Sequence, residues 1–303
     1  MPTTTPASPL WSAIHVLIFF FRLPIFLSFA GFYFLFLHHL PLPLVARKLL
    51  LWGIMGIPGI WWIDLQIDGV KRGSLSQQPP SRVPHPRSVI AANFTSPVDA
   101  LYLAAIFDPI FTVSYPTTRR VRRIGLLRAV LMALSSSQFA PPPPSDDNTL
   151  ADLLARCPDR VIAVFPECAT TNGKGIMPLS PSLATVPSDV AIFPVSMRYT
   201  PPDIATPVPG AWLAFLWKLL SRPTHWIRVR IAEGTYNTSL ATNGGAPASG
   251  AGTQNVDGEI TPEEQRLLDR VAEALARLGR AKRVGLTLAD KKAFVDVWKR
   301  GKK

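Results

Sequence analysis

Two short stretches hold the residues best placed for chemistry. One is Asn93-Phe94-Thr95-Ser96-Pro97-Val98-Asp99; the other is Phe165-Pro166-Glu167-Cys168-Ala169-Thr170-Thr171-Asn172-Gly173-Lys174-Gly175. Each follows a short apolar run, SVIAA at 88–92 and RVIAVF at 160–165, so each reads as a loop at a strand end, where open α/β sheets place ligands. Asp99 and Glu167 are the carboxylates available for proton transfer. Asn93, Thr95, Ser96 and Thr170 offer short polar contacts, and Lys174 a cation in a turn. Structural readings stand beside these. Ser96 as N-cap, Pro97 at the first helical position and Asp99 at the third make a helix-start box that needs no chemistry, and Lys174 fits a solvated turn. Cys168 has no histidine nearby to make a thiolate and reads as a small apolar filler. The N-G-K-G turn lacks the GxxxxGK[ST] spacing of a phosphate loop.

The elements that must position these loops follow from alternation. Ile63 to Gly69, Ser88 to Ala92, Phe111 to Ser114, Arg160 to Phe165 and Val190 to Val195 read as strands; Trp226 to Ala232 alternates and reads as an edge or half-exposed strand. Asp99 to Phe107, Ile124 to Leu134 and Thr149 to Arg156 read as helices between them, which predicts an α/β fold with a mainly parallel sheet. Ala214 to Leu220 is a short apolar helix, packed in the core or lying at an interface. Thr261-Pro262-Glu263-Glu264 opens a helix carrying Leu267, Leu268, Val271, Leu275 and Leu278, and Thr287 with Asp290 opens another that ends in Lys299, Arg300, Lys302 and Lys303. The chain divides into an anchor at 1–62, an α/β domain at 63–236, a Gly, Ser and Thr rich flexible insert at 237–260 and C-terminal helices at 261–303.

From Leu10 to Leu37 the only charge is Arg22, and this length exceeds the ~20 residues that cross a bilayer. Either one tilted span carries Arg22 snorkelling or paired, or Arg22-Leu23-Pro24 breaks the run into a monotopic hairpin. Leu49 to Ile63 is short and broken by Gly53, Gly56, Pro58 and Gly59; it is interfacial, with Trp52, Trp61 and Trp62 at headgroup depth, or a buried helix. By the positive-inside bias, Arg47 and Lys48 place the α/β domain in the cytosol, and so predict no glycan at Asn237. The 32 Lys and Arg against 20 Asp and Glu leave +12. Arg119, Arg120, Arg122, Arg123 and Arg128 form the densest cluster, which calls for a phosphate-rich partner such as CoA, a lysolipid head or anionic membrane lipid. The anchor and the lack of a recognisable binding module argue against nucleic acid. Two cysteines without metal-ligand spacing exclude a disulfide framework and a zinc site.

In arrangement and order, the two loop blocks resemble the N-H-x-x-x-x-D and F-P-E-G-T-R blocks of the glycerolipid acyltransferase superfamily, and Val190 to Val195 resembles its later hydrophobic-Pro strand. The match covers residues 60 to 235 or so. The N-x-T-S-P-x-D form, the N-G-K run and the D-K-K-x-F-V helix are similar to one fungal branch of that superfamily, the lysophosphatidic acid:oleoyl-CoA acyltransferases of endoplasmic reticulum and lipid droplets. The resemblance implies a mixed, mainly parallel sheet flanked by helices, behind N-terminal membrane-anchoring helices. It implies transfer of an acyl group from acyl-CoA, a co-substrate with no further cofactor or metal, to lysophosphatidate, giving phosphatidate. Asp99 and Glu167 would be catalytic; Asn93, Thr95, Ser96, Thr170, Lys174, Arg119, Arg120, Arg122 and Arg123 would bind substrate. The site departs from the superfamily pattern at four places: Phe94 stands where the blocks carry His, Cys168 where they carry Gly, Ala169 where they carry Thr, and Thr170 where an Arg often holds the acceptor phosphate, which leaves another lysophospholipid open as acceptor. The expectation to test is that the loops after Ala92 and Val164 meet as one pocket wide enough for a thioester and a lipid alcohol; a Phe94 ring plugging the only cleft between them would put a silent lipid-binding relative in place of the enzyme.

Overall fold

The computed structural model describes residues 9–70, 82–135, 148–238 and 260–300. The proline clusters at 79–80 and 141–144, residues 239–259 of the expected insert and the last three residues lie outside it.

Helix α1 (Pro9–Leu35) runs through Pro24 unbroken, so the break at 22–24 that a hairpin would require is absent. Leu10–His39 is the one segment among the described residues long and apolar enough to cross a membrane. Leu10, Leu17, Phe20, Phe21 and Leu35 on it are exposed. Its inner side is nonetheless docked. Tyr33 is fully buried, Phe19 packs on Trp217 at 4.8 Å, and Arg22 donates to the carbonyls of Arg222 at 2.6 Å, Pro223 at 3.1 Å and Pro58 at 3.3 Å. Of the alternatives for Arg22, pairing is what the structure shows.

The stretch 49–63 is divided. α2 (Leu44–Gly56) buries Leu51, Ile54 and Met55, as a core helix does, while Trp61 and Trp62 at the start of β1 (Ile60–Ile67) are exposed. Arg47 pairs with Asp108, and Lys48 donates to Ile106 O at 2.5 Å. Both cations therefore lie at the C-terminal end of α3 (Pro97–Phe107), where the helix dipole favours them.

The main sheet also contains β2 (Val89–Ala92), β3 (Ile110–Ser114), β4 (Val121–Ile124), β5 (Ile162–Val164), β7 (Ala191–Thr200) and β8 (His225–Ile231), with β9 (Thr235–Tyr236) appended to β7. A small β6 (Gly175–Ile176) lies apart. The order is β1-β8-β7-β2-β5-β3-β4. β7, β2, β5 and β3 are mutually parallel, β1 is parallel to β8, and β8 and β4 are antiparallel to their neighbours β7 and β3. This is an α/β fold with a mixed, mainly parallel sheet flanked by helices. The strands β2, β5 and the first part of β7 are buried throughout, as expected of parallel strands covered on both faces.

Two expectations need correction. β8 alternates buried and exposed residues, as the half-exposed reading has it, but the edge reading does not hold, because β1 pairs along its outer side from Ile60↔His225 to Ile67↔Ile231. The helix expected from Ile124 is shorter, α4 (Leu126–Met132), because residues 121–124 pair with β3 as β4. Helices α1 to α4 and α6 (Trp212–Ser221) cover one face with Ile90, Val98, Leu103, Phe193 and Ile227 in the core between. α5 (Leu150–Arg156) and α7 (Pro262–Gly279) cover the other, burying Leu153, Leu267, Val271 and Leu275. α7 opens with the capping box its sequence predicts, and α5 has one too, with Thr149 and Asp152. Asn237, at the near end of the expected insert, is buried and donates to Ala184 O and Val186 O at 2.9 and 2.8 Å, so its amide nitrogen is occupied within the domain.

Gly59 joins α2 to β1 with φ +85, and an added Cβ would sit 2.3 Å from Pro223 O. Its carbonyl accepts from His225 N at 3.0 Å, so backbone fills the space on that side. Gly59→Ala is expected to cost about 2–4 kcal/mol through backbone strain and clash. Denaturant unfolding checks this; a change under ~0.5 kcal/mol, the scatter of ordinary surface substitutions, would contradict the close approach.

Candidate active site

The two loop blocks meet. β2 and β5 are parallel neighbours, so their C-terminal loops leave the sheet side by side. Thr171 N donates to Phe94 O at 2.8 Å. Thr206 N donates to Thr95 O at 2.8 Å, and Thr170 Oγ1 to Thr206 O at 2.8 Å, so the 206 loop closes a third side.

Asp99 sits at the third position of α3, and the helix-start box is present: Val98 N donates to Ser96 Oγ at 3.3 Å and Ser96 N to Asp99 Oδ2 at 2.9 Å. The same oxygen takes Thr95 N at 2.6 Å and Thr95 Oγ1 at 3.1 Å, while Oδ1 takes the hydroxyl of Tyr199. Full burial pushes the Asp99 carboxyl up to about 6, against the downward pull of the Tyr199, Thr95 and Ser96 hydrogen bonds. Asn93 does different work. Its side chain donates to Met197 O at 2.9 Å and accepts from Met197 N at 2.7 Å, clamping β7 beside β2.

Glu167 is buried behind the second loop. Oε2 accepts from Met177 N at 3.1 Å, and Oε1 has no partner. Burial pushes this carboxyl up to about 8, with the Met177 and Phe94 amides and Lys291 opposing and the Asp99 charge adding. Near neutral pH Asp99 is thus mostly a carboxylate and Glu167 mostly an acid. Cys168, at φ +56, occupies the left-handed region that favours glycine. Its thiol is pushed up to about 12 by burial, which removes it as a nucleophile near neutral pH.

Phe94 fills the space between the loops. Its ring stacks on Phe165 with centroids 4.2 Å apart, and the cleft they share with Cys168 and Thr170 measures only about 20 Å³, room for about one water. No histidine substitutes for it among those described. His225 is buried on Leu219 O at 2.8 Å, and His85 rests on Val83 O at 3.1 Å.

A larger cavity of about 280 Å³ lies beside the first loop. Pro97 and Val98 form part of its wall, with Phe26, Met55, Val130 and Phe215 from α1, α2, α4 and α6. Its lining is almost wholly apolar.

The cations are not gathered here. Arg119 places its guanidinium on Glu264 at 2.8 and 3.1 Å, tying the turn before β4 to the start of α7. Arg120 and Arg122 are half-buried and Arg123 exposed, on or beside the sheet's outermost strand, two strands beyond β5. Lys174 is exposed in its turn, with Gly173 at φ +68 and its own amide on Asn172 Oδ1 at 3.0 Å. Sequence reasoning missed three members of the site: Tyr199, Thr206 and Lys291, whose ammonium donates to Thr170 O. The inward alternation Val195, Met197, Tyr199 was the available signal for the first. Among the described residues, no three His, Cys, Asp or Glu side chains gather to hold a metal ion.

No protein-family model matches the sequence. A Schizosaccharomyces pombe protein named "Putative lysophosphatidic acid:oleoyl-CoA acyltransferase" is 27% identical over 216 residues, 70% of this chain. The chain spans 62% of that relative's length. The crystal structure of the 1-acyl-sn-glycerophosphate (LPA) acyltransferase PlsC from Thermotoga maritima aligns over 88% of this chain and 96% of its own, with 15% identity and a TM-score of 0.40. The chain is thus similar in sequence to one protein named for acyl transfer to a lysophospholipid.

Proposed function

We propose that this chain is an acyltransferase that moves a fatty acyl group from acyl-CoA to the free hydroxyl of lysophosphatidate at a membrane surface. The observation that carries the reading is the apolar cavity of about 280 Å³ whose wall includes Pro97 and Val98, the two residues that precede Asp99. Neither carboxyl lines this cavity, so an acyl chain buried there would bring its thioester to them only past the start of α3. Similarity to the S. pombe protein supports the same chemistry. The exposed apolar residues of α1, joined by Leu127 and Leu131 of α4 and Trp212 and Leu213 of α6, would lie in lipid. In the reaction the acceptor oxygen bonds to the thioester carbon as its proton passes to Asp99, the Glu167 acid donates a hydrogen bond to the carbonyl oxygen, and the carbon–sulfur bond breaks as Asp99 returns that proton to the sulfur, so that CoA leaves as the thiol. Phe94 must leave Phe165 for substrate to reach this point.

Labelled oleoyl-CoA and lysophosphatidate, supplied to the full chain in nanodiscs, are expected to give phosphatidate. The rate should rise through about pH 6, as Asp99 loses its proton, and fall through about pH 8, as Glu167 does. Ala30→Trp fills the cavity from α1 and should move preference to shorter chains, about fourfold for each methylene excluded at ~0.8 kcal/mol. The Phe94 stack and the four hydrogen bonds already held by Asp99 favour one second reading: a lipid-binding relative without turnover. It predicts oleoyl-lipid binding with no product, a silence that Phe94→His does not break.

A further inference from the structure

The chain beyond α7 returns to the second loop block and builds a wall on it. β10 (Lys282–Arg283) pairs in parallel with β6, Lys282 N donates to Lys174 O at 3.2 Å, and Val284 N donates to Ile176 O at 3.0 Å. Helix α8 (Leu288–Arg300) starts immediately after, capped by Thr287 and Asp290, with Thr287 N on Asp290 Oδ2 at 2.7 Å. Its first turn buries Leu288 against Ala169 and Met177. Lys291, three residues on and so on the same face, directs its ammonium to the carbonyl of Thr170.

This ammonium is costly where it sits. Burial pulls Lys291 down to about 8, and only the Glu167 charge opposes the shift. A methionine of similar reach would pack there without that desolvation. What the cation supplies is a donor for a carbonyl that is otherwise buried, and a positive charge near Glu167, whose Oε1 is buried without a partner. The charged and titratable groups that face Glu167 are Lys291 from α8, Asp99 from α3 and the adjacent Cys168 of its own loop.

We propose that segment 281–291 is part of the active site and that Lys291 is its positioning residue, holding Thr170 and the loop that carries Glu167 in register with the Phe94 loop. The purpose assigned to that register rests on the acyltransferase reading; the register itself does not. The test uses the full chain and two readouts that need no turnover. Hydrogen exchange is followed across 166–174, and the Glu167 carboxyl is titrated by infrared spectroscopy, its band identified by loss in Glu167→Gln. Lys291→Met is expected to raise amide exchange at Thr170 to Gly173 tenfold or more while β2 stays protected, and to move the Glu167 midpoint upward by about one unit, as loss of a nearby opposite charge does. Lys291→Arg should restore most of both. Unchanged exchange and an unchanged midpoint in Lys291→Met overturn the proposal. Should that variant not fold, Thr287→Ala, which frays the first turn of α8, takes its place with the same two outcomes. Absence of acyl transfer in the unaltered chain would remove the reaction but leave these two results to decide the role of Lys291.

Discussion

Asp99→Ala is expected to lower the unfolding free energy by about 3–5 kcal/mol, at the upper end of single substitutions, because it strands several buried donors at once. The amides of Thr95 and Ser96 and the hydroxyls of Thr95 and Tyr199 all end on this one carboxylate. Asp99→Asn should cost only ~1 kcal/mol, since its amide oxygen can face the two backbone donors and its NH₂ can meet a Tyr199 hydroxyl that rotates to accept. Urea unfolding of the pair measures the difference. Equal, small losses in both would show that the network does not form in solution. The Asn variant also separates roles: folded but without a base, it should make no phosphatidate.

The second large effect concerns pH. Glu167 is raised from 4.5 to about 8, so between those values the folded chain keeps a proton that the unfolded chain has released. The native state then binds more protons, and stability falls as pH rises through that window. Asp99 adds a smaller fall between 3.8 and about 6. Lys291 acts in the opposite sense. Lowered from 10.5 to about 8, it is deprotonated in the folded chain while the unfolded chain still holds its proton, so stability recovers between 8 and 10.5. The unaltered chain should pass through a trough near pH 8. Glu167→Gln should match it near pH 4.5 and exceed it by roughly 2–4 kcal/mol at pH 8, the descending limb being lost. A flat profile from pH 5 to 8 in the unaltered chain would rule this out.

Local features were legible from residue types. The caps at Ser96, Thr261 and Thr287 form where their spacing predicts, because a capping box is satisfied within four residues. The buried strands were legible as apolar runs for the same reason. What was not legible depends on partners distant in sequence. Five arginines without a nearby acid suggest a shared anion site, yet Arg119 finds Glu264, 145 residues away. β8 looks like an edge because alternation records only that one face is wet, not that β1 pairs along its outer side. Tyr199 reaches Asp99 only through the parallel register of β7 with β2, and Lys291 reaches Thr170 only through the β6 and β10 pairing. Of the site, the loops and their carboxyl groups could be read directly; the groups that hold those carboxyls could not.

The grip of Arg22 on three carbonyls has a mechanical corollary. Pulling α1 away from the domain in an apolar medium would bare a guanidinium, and a lone arginine at the middle of a bilayer costs ~2.5–3.5 kcal/mol on insertion scales. The helix is therefore keyed like a shaft in a slot, with rolling about its own axis disfavoured by about that amount. Phe26, Phe29 and Tyr33 are locked toward the protein, while Leu17, Phe20 and Phe21 are turned permanently outward, so hydrocarbon would meet one stripe of this helix and never the other.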